Sequence, residues 1–254
     1  PGADAGEFRE ARSEQPEGIG VESRVDAPTP TEILPEAGDP ACSLNGNLLS
    51  RIDPAKMKQT MTFLVGLKER RSYQSQVKAA QYLKQQLQQW KGLQLKEHSY
   101  TYKGQNYVNL EATLPGSDKA DEILMIGAHF DSNSNDPVLA PGADDNASGT
   151  AAVLELARIL SGCKPRRSIR FLFFSNEEKG TIGSKAYVKS LSGVLPVNKM
   201  VGFINVDMIA YGPNNEDLDI ATRPEHKVFA NQVVGAIKKW TTLPVNLQIN
   251  KYCA

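Results

Sequence analysis

The 254-residue chain is poor in the two side chains that most often announce a metal site: it has three cysteines, at 42, 163 and 253, and three histidines, at 98, 129 and 226. The cysteines lie far apart with no CxxC pair, which argues against a structural zinc knuckle. One disulfide plus a free thiol, or three free thiols, fit the count equally well, so it does not decide the compartment. No apolar run approaches the ~20 residues of a membrane-spanning helix. An excess of either charge is also absent, because Lys plus Arg and Asp plus Glu both total 29. That balance argues against a nucleic-acid partner. No internal repeat is evident, and the length suits one α/β domain with an appendage.

Residues 1–40 are rich in Pro, Glu, Gly and Ala with no sustained period, the composition of a disordered leader or linker. The pattern changes at Asp53 and Pro54, a cap and a first-turn proline, followed by Met57, Met61, Leu64, Val65 and Leu67 at helical spacing. A second amphipathic helix is predicted from about Ser75 to Trp90. Strands are predicted at Leu95–Tyr102 and Tyr107–Leu114, divided by Lys103 and Gly104. Three apolar runs follow: ILMIGA (123–128), reading as a strand buried on both faces, IRFLFF (169–174), a second buried strand, and Val201–Val206, a third apolar strand. Helices are expected at 147–160 and 181–192, then a strand at 218–221, a helix at about 224–240 and a last strand around 245–249. The expected fold is therefore α/β, a sheet with helices alongside and its site at the strand carboxyl ends.

Each apolar strand delivers metal-ligand residue types at its C-terminal end. His129 and Asp131 are two apart, so on extended backbone they point the same way, and Asp131 can hold one ring nitrogen while leaving the other for a metal. A capped strand end with a surface histidine is the plainer alternative. The loop PGADDNASG then offers Asp144 and Asp145; Asp145 or Asn146 can also serve as an ordinary helix cap. Glu177 and Glu178 follow FLFFSN, where two adjacent carboxylates repel by roughly 1 kcal/mol or more unless one binds a cation or a proton. One of them can ligate a metal while its neighbour acts as general base. Asp207, inside FINVDMIA, is hard to explain as a surface charge, although a helix cap or a salt bridge would account for it.

In this order GAHFDS, PGADDNASG, FFSNEEKGTIGS and NVDMI resemble the zinc aminopeptidases of the M28 peptidase family across roughly residues 50–254. The resemblance implies a mixed, mainly parallel sheet flanked by helices on both faces, a zinc-exopeptidase-like three-layer sandwich. It implies that His129, Asp144 and Asp207 bind one Zn2+, that Asp144 bridges to a second Zn2+ held by Glu178, and that Glu177 is the general base with Asp131 behind His129. A non-proline cis peptide is expected after the bridging acid, between Asp144 and Asp145. The second zinc of the family takes a further histidine downstream. His98 precedes the motifs and His226 opens a helix in an unlike context, so the second site lacks a His and the catalytic domain, residues 41–254, reads as incomplete at its C-terminus.

The implied function is hydrolysis of the first peptide bond of peptides with a free N-terminus, with an extracellular or periplasmic location by family habit. Two alternatives share the fold: a single-zinc glutaminyl cyclase, opposed by the doubled acid Asp144–Asp145, and a non-catalytic ectodomain or binding scaffold, opposed by the retained carboxylates.

Overall fold

The structure, a computed structural model, describes residues 48–136, 138–212 and 217–250; the leader expected at 1–40, Cys42 and Cys253 lie outside them. The chain folds as α1 (Pro54–Gly66), α2 (Tyr73–Leu87), β1 (Gln94–Tyr102), β2 (Gln105–Leu114), β3 (Lys119–His129), α3 (Gly149–Leu160), β4 (Arg167–Phe174), α4 (Ile182–Leu191), β5 (Met200–Asn205), β6 (Leu218–Thr222), α5 (Lys227–Trp240) and β7 (Val245–Ile249). The Asp53 carboxylate caps α1 by accepting from Ala55 N and Lys56 N, and Ser72 Oγ caps α2 by accepting from Ser75 N.

The main sheet runs β1-β2-β4-β3-β5. β3 lies between β4 and β5 and is parallel to both. The hairpin β1–β2 joins through an antiparallel β2–β4 pairing. A separate parallel pair, β6–β7, packs with α5. Alternation along the strands assigns the two faces: Leu110, Ala112, Ile126, Ala128, Phe171 and Phe173 pack with Leu83, Leu87, Val153 and Leu154 of α2 and α3. The opposite face places Ile123, Met125, Leu172 and Phe174 against Tyr187 of α4. Each buried Val, Leu, Ile, Met or Phe side chain among them contributes ~1.5–3 kcal/mol relative to exposure. The mixed sheet covered by helices on both faces is the architecture expected, with two of its four strand pairings parallel and the separate β6–β7 pair parallel as well.

One expectation shifts: the helix predicted at 147–160 begins at Gly149, because Asp145 (φ −97°, ψ 96°) and Asn146 (φ −131°, ψ 53°) are not helical and the turn Ala143–Ser148 is kinked. Among the described residues no helix is long and apolar enough to cross a membrane.

On the α4 face of the sheet, Glu111 forms a buried polar network remote from the strand ends. Its carboxylate accepts from Tyr187 Oη at 2.7 Å and Thr113 Oγ1 at 3.0 Å and lies 3.1 Å from His98 Nε2, with Arg170 Nε at 3.6 Å. Burial alone would raise the Glu111 pKa, but His98, Tyr187 and Arg170 hold it down to about 2. A folded-state pKa below the ordinary 4.5 means that this stabilisation is complete above pH 4.5 and is lost as pH falls toward 2. Glu111→Gln is expected to lower stability by ~2 kcal/mol at neutral pH. It should also flatten the acid limb of the stability curve, as read by urea denaturation at a series of pH values.

Candidate metal centre

His129 closes β3 and is held at its own carbonyl, which accepts from Thr150 Oγ1 at 2.7 Å. Its Nε2 faces three carboxylates: Asp145 Oδ1 at 3.1 Å, Asp207 Oδ1 at 3.5 Å and Glu177 Oε2 at 4.0 Å. One donor atom each from His129, Asp145 and Asp207 lie within 4.8 Å of one another, a His/Asp/Asp set suited to a divalent ion. Its Nδ1 lies 3.4 Å from Asp131 Oδ1, a contact longer than a well-formed hydrogen bond.

Asp131 is fully buried and does more than sit behind the histidine. Its Oδ1 accepts the backbone N–H of Glu177 at 2.9 Å and its Oδ2 that of Glu178 at 3.2 Å. These two residues begin a tight turn after β4, in which Gly180 N and Thr181 N donate to Glu177 O, with Asn176 (φ 54°) and Thr181 (φ 56°) in the left-handed region. The turn that two adjacent glutamates need in order to address one site is therefore present.

The electrostatics of these side chains call for a cation. Burial would lower the His129 pKa, yet Asp131, Asp145 and Asp207 push it up to about 12. Glu178 is pushed up to about 7 by burial, with Asp145, Asp131 and Glu177 adding and His129 opposing. Glu177 is raised by burial and neighbouring carboxylates, again against His129. Asp145 is lowered by its hydrogen bond to His129. Carboxylates that draw a proton onto His129 and Glu178 would draw a divalent ion more strongly.

The structure brings His129, Asp131, Glu177 and Asp207 together, with Glu178 on the same turn, and places Asp145 rather than Asp144 in the His/Asp/Asp group. Asp145 faces His129. The chain enters through Gly142 in the left-handed region (φ 48°), and in the non-helical backbone that follows, successive side chains point to different sides. Asp144 Oδ1 instead accepts from Ala210 N at 2.8 Å and lies 3.2 Å from Ser148 Oγ, a hydroxyl that also accepts from Ile209 N. The non-proline cis peptide is likewise one residue further on, between Asp145 and Asn146.

Asn146, read from the sequence only as a helix cap, is also a fully buried brace to the segment before Asp207. Its Nδ2 donates to Val206 O at 2.9 Å and its Oδ1 accepts from Gly149 N at 2.8 Å. The remaining histidines are not at the site: His98 is engaged by Glu111, and His226 is exposed at the start of α5.

The geometry distinguishes the two adjacent acids. Asp145→Asn is expected to abolish tight binding of one equivalent of Zn2+. Asp144→Asn should keep that equivalent with an affinity reduced about tenfold. Zinc content after exhaustive dialysis, with a calorimetric titration of each variant, checks both.

The family model described as peptidase family M28 matches residues 109–250. The chain is 34% identical over 148 residues to a probable zinc metalloprotease of Pyrenophora tritici-repentis (strain Pt-1C-BFP), covering 57% of this chain and 33% of that protein. It is 37% identical over 124 residues to aminopeptidase YwaD of Bacillus subtilis (strain 168), covering 48% of this chain and 26% of that protein. The matched part thus spans a third or less of the length of these relatives. Among solved structures, LapB from Legionella pneumophila superposes with a TM-score of 0.68 at 26% identity, covering 80% of this chain and 57% of that one. A glutaminyl cyclase of Macrostomum lignano shares the fold with a TM-score of 0.64 at 18% identity, covering 82% of this chain and 74% of that one. With the family model matched across more than half of its length, the chain belongs to peptidase family M28.

Proposed function

We propose that this protein is a zinc-dependent aminopeptidase that removes the N-terminal residue of peptides. The observation that carries the reading is the convergence of Asp145, Asp207 and Glu177 on His129 Nε2, with the Glu177–Glu178 turn held by the same Asp131 that backs the histidine. His129, Asp145 and Asp207 would hold one zinc ion, which supplies Lewis acidity toward the peptide carbonyl and acidifies water.

Glu177 is the proton acceptor in this reading. Its carboxylate is partly open to solvent, and burial with the surrounding carboxylates raises its pKa, the direction a general base needs. It takes the proton of the attacking water and returns it to the departing amine. Asp131 keeps Glu177 at a fixed distance from His129 through the backbone, so base and ligand move as one unit. Glu178 and the second oxygen of Asp145 are the groups for a second ion, which would take a further ligand beyond His98 and His226. A free α-amino group is a neutral or cationic donor that a carboxylate-rich site accepts, which supports unblocked peptides as substrates. An extracytoplasmic location is part of the proposal, supported by Cys163 being disulfide-bonded.

Release of free amino acids from an unblocked peptide or an aminoacyl anilide tests the reading. Glu177→Gln is expected to lower kcat by ~10²- to 10⁴-fold while leaving zinc content unchanged, and a chelator should abolish turnover until zinc is restored. Absence of hydrolysis by the zinc-loaded protein would sink the peptidase reading, and absence of bound zinc would favour a binding scaffold.

A further inference from the structure

Two metal ligands of this site, His129 and Asp145, come from opposite ends of a long loop, residues 130–144. The ladder to β4 fixes His129 opposite Phe174, but among the described residues no strand pairing fixes Asp145. What closes the neck of that loop is a side chain from the segment between α1 and α2. Arg70 is fully buried, and its guanidinium donates to four backbone carbonyls: Nε to Phe130 O at 2.7 Å, Nη1 to Leu64 O at 3.1 Å and Pro141 O at 2.5 Å, and Nη2 to Gly142 O at 2.8 Å. Phe130 directly follows His129, and Gly142 lies three residues before Asp145. One rigid plane therefore sets the separation of the two ligand-bearing segments.

The neck carries further ties to the same segment. Arg70 N donates to Ser132 Oγ at 3.0 Å, Ser132 Oγ donates to Ala140 O at 2.6 Å, and Ala140 N donates to Lys68 O at 2.9 Å. Gly142 sits where the neck is tightest: a Cβ there would lie 2.2 Å from Asp145 O, 2.5 Å from Ser132 Cβ and 2.8 Å from Arg70 Nη2, and its φ of +48° disfavours a side chain in any case.

Among the described residues no hydrogen bond joins Arg70 to a carboxylate, although a buried guanidinium ordinarily has such a partner. The negative groups that act on it through space are those of the metal centre, Asp131, Asp145 and Glu178, together with Glu69. Burial pulls its pKa down to about 10 against them, so it is a cation at neutral pH.

We propose that Arg70 is a positioning residue of the metal centre, which through the carbonyls of Phe130, Pro141 and Gly142 sets the distance between His129 and Asp145. The proposal rests on the metal reading above and adds a residue that touches neither ion nor substrate. Lysine keeps the charge but has no planar fork with which to bridge these carbonyls. The neighbouring Arg71 serves as an internal control, because it holds the exposed outer part of the same loop at Ser134 O and Asp136 O.

The test is Co2+ binding to the full chain, followed by the visible absorption of the bound ion, which reports coordination geometry. Arg70→Lys is expected to weaken Co2+ binding about tenfold or more and to change the absorption bands. Arg71→Gln should leave both as in the parent. Arg70→Gly should lose the parent bands and regain them on addition of low-millimolar guanidinium, a recovery that a general packing defect would not show. A folded Arg70→Lys protein with parental Co2+ affinity and bands would overturn the proposal. So would Arg70→Gly with no recovery, should Arg70→Lys fail to fold. If the parent chain binds no Co2+, the metal reading falls and this inference falls with it.

Discussion

The candidate metal centre depends on one fully buried carboxylate, that of Asp131. Asp131 lies 3.4 Å from His129 Nδ1 and accepts the backbone N–H groups of both Glu177 and Glu178. A fully buried charge is costly unless hydrogen-bonded, and here the two N–H donors satisfy it while the imidazole lies alongside. In doing so they lock the turn after β4 to the end of β3. An amide could not serve in its place, because it would present its own N–H groups toward one of these backbone donors. The carboxylate thus couples the residue read as a metal ligand to the residue read as general base, two groups that chain connectivity leaves 48 residues apart.

A second set of braces surrounds Asp207. Asn146 Nδ2 holds Val206 O on one side of it, and Asp144 receives the Ala210 N–H on the other. Asp145, between Asp144 and Asn146, faces His129 from the same segment. Three consecutive residues therefore divide the work: the middle one meets the metal site, and its two neighbours fix the loop that carries the opposing ligand. Acidic and amide residues are packed here for different reasons, and only one of the two adjacent aspartates is placed as a ligand.

This division explains what could and could not be read from the chain. β3 and β4 were legible because their apolar runs reflect burial on both faces, and Phe171 to Phe174 alternate between the two cores as that pattern requires. The pairing of His129 with Asp131 was legible from a spacing of two on extended backbone. The choice between Asp144 and Asp145 was not, because a local turn at Gly142 decides which neighbour faces inward, and both residue types also suit a helix start. Arg70 was invisible for another reason. Within KERRSYQSQ it reads as a solvated charge, whereas most of its carbonyl partners lie 60 to 72 residues away. Hydrogen bonds to backbone leave no residue-type signal at the accepting position.

Sheet order then determines why these groups can meet at all. β4, β3 and β5 are adjacent and parallel, so their carboxyl ends share one edge, and strands spaced about 4.8 Å apart place three consecutive ends within roughly 10 Å. β3 is central, and the residue it delivers, His129, lies within 4.0 Å of carboxylates from both flanking strand ends, Glu177 and Asp207. Had β3 been an edge strand, one of the two would stand a further strand width away, beyond the reach of a shared ion. The fourth participant, Asp145, enters from above the sheet at the approach to α3, and that segment is the part of the site that no strand fixes. The structure supplies side-chain braces at that point, Arg70 on the loop before Asp145 and Asn146 on the turn after it. Where the β-ladder ends, buried hydrogen bonds to backbone carbonyls take over its task of setting distances.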